Sequence, residues 1–232
     1  LAERVTQSLP QGQHARSLPK PDATVARTVY APFDSTQTHV SIGQIGITRD
    51  NPDFPALTLA NEVFGGGDFS AILMKELREK RGLTYGAYSG FSAMQSNGPF
   101  KISYSTRTDQ MDESLRVAKQ ALQDYVQKGV ALDRFNEAKT GILNSYPLSL
   151  SSNSSIASTL AAMGFYGLAN GYMADYPKKI EAVTPEAAHQ AFVRYVNPQK
   201  MLVVVVGKEK PKADGDEISQ AAKSTANSTP AQ

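Results

Sequence analysis

Three histidines and no cysteine limit what this 232-residue chain can do by metal or nucleophilic chemistry. A zinc site needs several convergent ligands, yet His14, His39 and His189 are scattered, none with a second His within five residues. Each reads as a structural or surface residue, and no metal is expected in this chain. Without cysteine there is no thiolate, disulfide or iron–sulfur ligand. Serine offers no G-x-S-x-G elbow, and the cluster from Ser149 to Ser155 reads as a helix-breaking, capping stretch. Gly65-Gly66-Gly67 raises the possibility of a phosphate cradle, because free N–H groups in glycine-rich loops bind anions. No Walker Lys-Ser/Thr follows it, and the segment before it patterns as helix rather than strand, so neither nucleotide fingerprint is met. A tight helix-to-helix turn is the better reading. What remains is the run Leu77 to Gly86 (LREKRGLTYG). Arg78 falls in the last turn of a predicted helix and Tyr85 opens a predicted strand, so both can face one open end of a sheet. Guanidinium and phenol are strong donors suited to a carbonyl or carboxylate oxygen, and neither is a base at neutral pH.

The elements that position this pair follow from periodicity. Thr38 to Thr48 alternates as a strand with Gly43 allowing a bulge. Asn51-Pro52 starts a helix through Phe64, stopped by the glycines, and a second helix runs from Phe69 to Lys80. Strand-like Thr84 to Met94 and Pro99 to Arg107 flank Gln95-Ser96-Asn97-Gly98, a hairpin signal. Thr108 or Asp109 caps a helix from Gln110 to Lys128 with Met111, Leu115, Ala118, Leu122 and Tyr125 as its stripe. Asp133 caps the next, up to Pro147. Ser154 to Leu168, Tyr172 to Val183 and a helix capped by Thr184 follow, then a closing strand, Met201 to Val206. Strands, a run of helices and a final strand indicate α+β: a mostly antiparallel sheet with helices packed on one face.

Residues 1–23 are Pro-rich and read as a linker or extended arm, 24–207 as the domain, and 208–232 as a disordered tail too poor in apolar residues to offset its ordering entropy. With 24 Lys and Arg against 22 Asp and Glu, a net charge of +2 gives no footprint for nucleic acid or anionic membrane. The longest apolar run, Met201 to Val206, has strand length, so no membrane span is expected. Starting at Leu1 suggests a processed protein or a fragment. Lack of cysteine fits an exported protein, and a periplasmic location is an expectation.

From Asn61 to Tyr85, NEVFGGGDFSAILMKELREKRGLTY resembles the signature of pitrilysin-type zinc peptidases, the family of insulin-degrading enzyme and the mitochondrial processing peptidase. Gln37-Thr38-His39-Val40 with Gly43, Asp50-Asn51-Pro52-Asp53, Val183-Thr184-Pro185-Glu186 and Val203 to Gly207 agree in order and spacing, so the resemblance covers roughly Val29 to Gly207. It implies homologous α+β halves that close like a clamshell around an unfolded peptide. One half carries H-x-x-E-H, with zinc and the activated water; this chain has no such motif and is similar to the half without zinc. In that half an Arg and a Tyr seven residues apart contact the substrate, and Arg78 and Tyr85 have that separation. The resemblance therefore implies a peptide substrate, zinc in the partner half, an H-x-x-E-H-bearing catalytic partner on the same or another chain, and no proteolysis by this chain alone. A purely structural subunit, like the peptidase-derived core subunits of a respiratory complex, is the rival. A nucleotide-binding protein using Gly65 to Gly67 would instead show an ATP-dependent rise in melting temperature. After dialysis against EDTA and zinc repletion, elemental analysis should find no stoichiometric zinc; one tightly held zinc per chain would overturn the assignment to the metal-free half.

Overall fold

The structure, a computed structural model, describes residues 3–4, 7–10, 12–13, 18–67 and 69–212. Alternation decides the sheet: along Gln37 to Ile42 every second side chain, Thr38, Val40 and Ile42, is buried, as are Phe100, Ile102 and Tyr104 on the neighbouring strand. The strands are β1 (Arg27–Pro32), β2 (Gln37–Ile45), β3 (Thr84–Phe91), β4 (Pro99–Arg107) and β5 (Leu202–Gly207), in the order β1-β5-β2-β4-β3. All neighbours are antiparallel except β1 and β5. The helices cover one face and leave Gln37, His39 and Lys101 exposed on the other. The α+β expectation holds.

Several details differ from the sequence reading. β1 has no counterpart in it: six residues ending in Pro32 carry too little alternation, and the strand is held by parallel pairing to β5 and by the Tyr30 hydroxyl on Gly207 and Lys208 carbonyls at 3.0 and 2.8 Å. Part of the expected arm touches the body. Pro19 C=O accepts from the Ser96 hydroxyl at 3.0 Å, and just past the arm the Thr24 hydroxyl accepts from Ile45 N–H at 2.8 Å. His14 and the expected disordered tail from 213 onward lie outside the described residues, while Lys208 pairs with Asp34 at 2.8 Å. No bulge forms at Gly43, which keeps register with Lys101; a Cβ there would come 2.8 Å from Phe100 O, so clearance explains the glycine. The expected hairpin forms, β3 pairing antiparallel with β4, but its loop is longer than Gln95 to Gly98: β3 ends at Phe91, and the loop is pinned back where Asn97 Nδ2 donates to Gly46 O and Gly98 N–H to Ile47 O, both at 3.0 Å.

The first helix, α1 (Phe54–Asn61), starts later than expected because Asn51 Oδ1 accepts from Asp53 N–H at 2.9 Å, closing an Asx turn across Pro52. Beyond it Glu62–Gly66 widens into a π-helical turn ending at Gly67, whose N–H donates to Glu62 O. After β4 a 3₁₀ turn, Thr108–Gln110, leads into α2 (Met111–Lys128), which buries the predicted stripe and ends at Gly129 with φ +71°. The helix α3 (Leu132–Ser149) is entered from Ala131 rather than Asp133 and holds Pro147 in its last turn. Then come α4 (Asn153–Tyr166) with a Ser152/Ser155 capping box, α5 (Tyr172–Ala182), and α6 (Pro185–Tyr195) capped by Thr184. Arg49 stacks on Phe54 at 4.1 Å and donates to the Tyr172 hydroxyl at 2.9 Å, tying α5 to α1; burial pushes that phenol up to about 12 against the opposing pull of Arg49, so it stays neutral.

Phe192 of α6 is the centre of the core. Its ring meets Tyr125 at 4.9 Å, Phe100 at 5.6 Å and Phe64 at 5.7 Å, uniting α2, the sheet and the π-helical turn after α1. Phe192→Ala should destabilise by about 3–5 kcal/mol in denaturant unfolding, whereas Phe165→Ala, at a residue 63% exposed, should change stability little.

Candidate substrate-contact site

Arg78 sits in a second π-helical segment, Met74–Glu79, whose Met74 and Leu77 are buried beneath it. The segment's widening shows in Lys80 N–H donating to Lys75 O at 3.0 Å, five residues back. Two further bonds close the turn: Gly82 N–H donates to Arg78 O at 2.9 Å, and Leu83 N–H to Leu77 O at 2.8 Å. They form a Schellman-like cap enlarged by one residue, with Gly82 at φ +62°, where a side chain would be strained. Leu83 is buried, so the chain enters β3 in a fixed direction. There it bulges. Thr84 opposes Thr106 but Ala87 opposes Tyr104, so Tyr85 and Gly86 together face Ser105. The Thr84 hydroxyl holds the bulge by donating to Ser105 O at 2.6 Å and accepting from Gly86 N–H at 3.2 Å. Tyr85 consequently projects into solvent, 88% exposed. Helix widening at Arg78 and strand bulging at Tyr85 thus re-aim the two side chains singled out in the sequence.

The charges nearby separate Arg78 from its neighbours. Glu76 binds Lys80 at 2.5 Å and Arg81 at 2.7 Å, while among the described residues no carboxylate pairs with Arg78. Its guanidinium lies over the Phe69 ring, 4.4 Å from the centroid. Burial alone would raise the Glu76 carboxyl, but the hydrogen bonds and charges of Lys80 and Arg81 outweigh it and hold that carboxyl below its ordinary 4.5.

Tyr85 stands over the helix-free face of the sheet, with His39, Ser41, Lys101, Ser103 and Ser105 alongside. His39 Nδ1 and the Ser105 hydroxyl are 2.8 Å apart across the strands, but no carboxylate lines this face to orient the imidazole, so the pair does not make a triad. His189 is spent on Val126 O at 2.9 Å. Among the described residues no three His, Asp or Glu converge, so this half does not fit a zinc ion and no step is assigned to one here. The glycine run is a spacer: a Cβ on Gly65 would lie 2.6 Å from Ser89 Oγ, against β3. That edge of β3 is closed. Asn61 Nδ2 donates to Ser89 O at 3.0 Å, Asn61 Oδ1 accepts from the Ser89 hydroxyl at 2.7 Å, and Ala87 N–H points to Met74 Sδ at 3.3 Å. A peptide strand adding to that edge would have to displace them. Phe69 and Glu76 went unread in the sequence; the Glu76–Lys80 spacing was the available signal, whereas nothing in the sequence marks the bulge.

Fold and site together define an α+β domain that presents an Arg and a Tyr from one closed turn. The chain belongs to the Peptidase M16 inactive domain family, whose sequence model matches residues 1–142. A crystallised peptidase M16 inactive domain from Pseudomonas fluorescens is 36% identical, with a TM-score of 0.85 over 91% of this chain and 51% of that one. An uncharacterized zinc protease of Streptomyces coelicolor is 27% identical over 176 residues, 76% of this chain and 38% of the relative. A non-peptidase homolog of Helicobacter pylori is 30% identical over 107 residues, 44% of this chain and 24% of the relative. The chain therefore spans well under half the length of these curated relatives.

A carboxyl held low stabilises the fold above its ordinary pKa and loses that contribution as pH falls through the depressed value. Glu76→Gln should therefore cost about 0.5 kcal/mol at neutral pH, a small value for a partly solvated cluster, and the gap to wild type should narrow in unfolding titrations as pH falls below the ordinary carboxyl value of 4.5.

Proposed function

We propose that this domain is the substrate-binding, zinc-free half of a pitrilysin-type metalloendopeptidase and completes a composite site that cleaves unfolded peptides. The observation that carries the reading is that one closed turn presents an Arg with no carboxylate partner among the described residues and, seven residues on, an exposed Tyr raised by a bulge. In this role Arg78 and Tyr85 donate hydrogen bonds to the peptide backbone and to the oxygen that gains charge when the scissile carbonyl is attacked. Neither takes a proton at neutral pH, so nucleophile and base belong to the H-x-x-E-H half, on the same polypeptide or a separate subunit. Closure of the halves would bring the donors to the peptide and exclude water.

Arg78→Ala and Tyr85→Phe, in the complete two-half enzyme, should each lower kcat/KM for peptide cleavage by about a hundredfold, on the order of 3 kcal/mol, with assembly and melting temperature unchanged. The second reading, a structural subunit without catalytic role, draws on the similarity to the H. pylori non-peptidase homolog. Unchanged rates in both variants would establish it instead.

A further inference from the structure

Arg78 and Phe69 are brought together by the loop that the three glycines open. Phe69 is two residues past Gly67, and its ring is 55% exposed, so it contributes little to the core. An exposed aromatic side chain kept at a turn between two π-helical segments needs another physical reason. The ring lies under the Arg78 guanidinium, 4.4 Å from centroid to Cζ. Stacking of this kind has a property that an ion pair lacks. A carboxylate partner occupies the in-plane N–H groups and neutralises the charge, as Glu76 does for Arg81, whose Nη1 donates to the Glu76 carboxylate at 2.7 Å and to its backbone carbonyl at 2.8 Å. An aromatic face engages only the face of the guanidinium plane and leaves the five edge donors free.

We infer that Phe69 is a positioning residue: its ring holds the Arg78 plane in place before substrate arrives, so that the edge donors meet the developing oxyanion without a conformational search. The inference rests on the composite-site reading above. It gives the run Gly65 to Gly67 a second task, since these residues carry the chain from β3 packing at Gly65 around to the ring beneath Arg78. Loss of the ring would leave Arg78 present, charged and mobile, which penalises the transition state more than substrate binding.

The test is a double-mutant cycle in the complete two-half enzyme. Phe69→Leu should lower kcat by about three- to tenfold with KM little changed, and Phe69→Tyr, which keeps the ring face, should restore wild-type values. In an Arg78→Ala background Phe69→Leu should have no further effect. Should Phe69→Leu act equally with or without Arg78, or act on KM alone, the ring contacts substrate directly and the positioning role is wrong. Wild-type kinetics for Phe69→Leu beside a defective Arg78→Ala would also overturn it while leaving the composite site standing. Unaltered kinetics for Arg78→Ala would sink the composite site itself. Melting temperatures of all variants, expected within about a degree of wild type for exposed Phe69 and within a few degrees for half-buried Arg78, guard against misfolding.

Discussion

The bond from Leu83 N–H to Leu77 O is the constraint on which the candidate site depends. Both leucines are buried, at 3% and 0% exposure, so the bond joins two anchored points and the five residues between them have little freedom. Arg78 immediately follows one anchor and Tyr85 lies two residues beyond the other. Their relative placement is therefore set by core packing rather than by direct contact. Buried leucines give this turn a rigidity that a surface loop of the same length would lack. The positive φ at Gly82 is the conformational condition for the closure, which is why a side chain at that position would disturb the placement of both Arg78 and Tyr85.

Charge is partitioned within the same turn. Three cations occur between residues 78 and 81, and Glu76 collects two of them. The remaining one differs in kind: a guanidinium on an aromatic ring is oriented without being neutralised. Lysine at position 78 would keep the charge but not the plane, so it would stack less specifically and offer no bidentate edge. The arrangement accordingly supplies positive potential and fixed donors while supplying no proton acceptor. Chemistry that needs a nucleophile would have to find it elsewhere, which is the demand that the proposed two-half organisation would meet.

Much of this was legible in the sequence because the signals were local. The α2 stripe, the capping Thr184 and the strands around Val40 and Phe100 each declare themselves within a few residues. The spacing of Arg78 and Tyr85 was equally plain. What escaped was decided by long-range pairing. β1 becomes a strand because β5, some 175 residues away, offers it an edge, and its own sequence contains no sustained period. The bulge at Tyr85–Gly86 arises from matching β3 to β4 while Leu77 and Leu83 hold one end. Gly43 illustrates the reverse error: a glycine in a strand suggests a bulge, but here it serves a close approach to the Phe100 carbonyl. The Asn97-Gly98 pair likewise obeys contacts with Gly46 and Ile47 rather than its own turn preference.

The sheet's two faces complete the division of roles. One face is sealed by helices around Phe192, and the edge of β3 is sealed by Asn61 and Met74. Around Tyr85 the open face keeps hydroxyls, His39, Lys101 and the exposed rings of Tyr85 and Tyr88, and no carboxylate among the described residues lining it. A surface of this composition can bind backbone amides through many weak, side-chain-indifferent contacts, and it would not favour cationic peptides through opposite charge. In the proposed role, affinity would come from length and extension of the bound chain, while the two donors at its end would govern the chemical step. Separating those tasks would let one rigid turn serve many sequences, which is the physical requirement for acting on unfolded peptides rather than on one folded target.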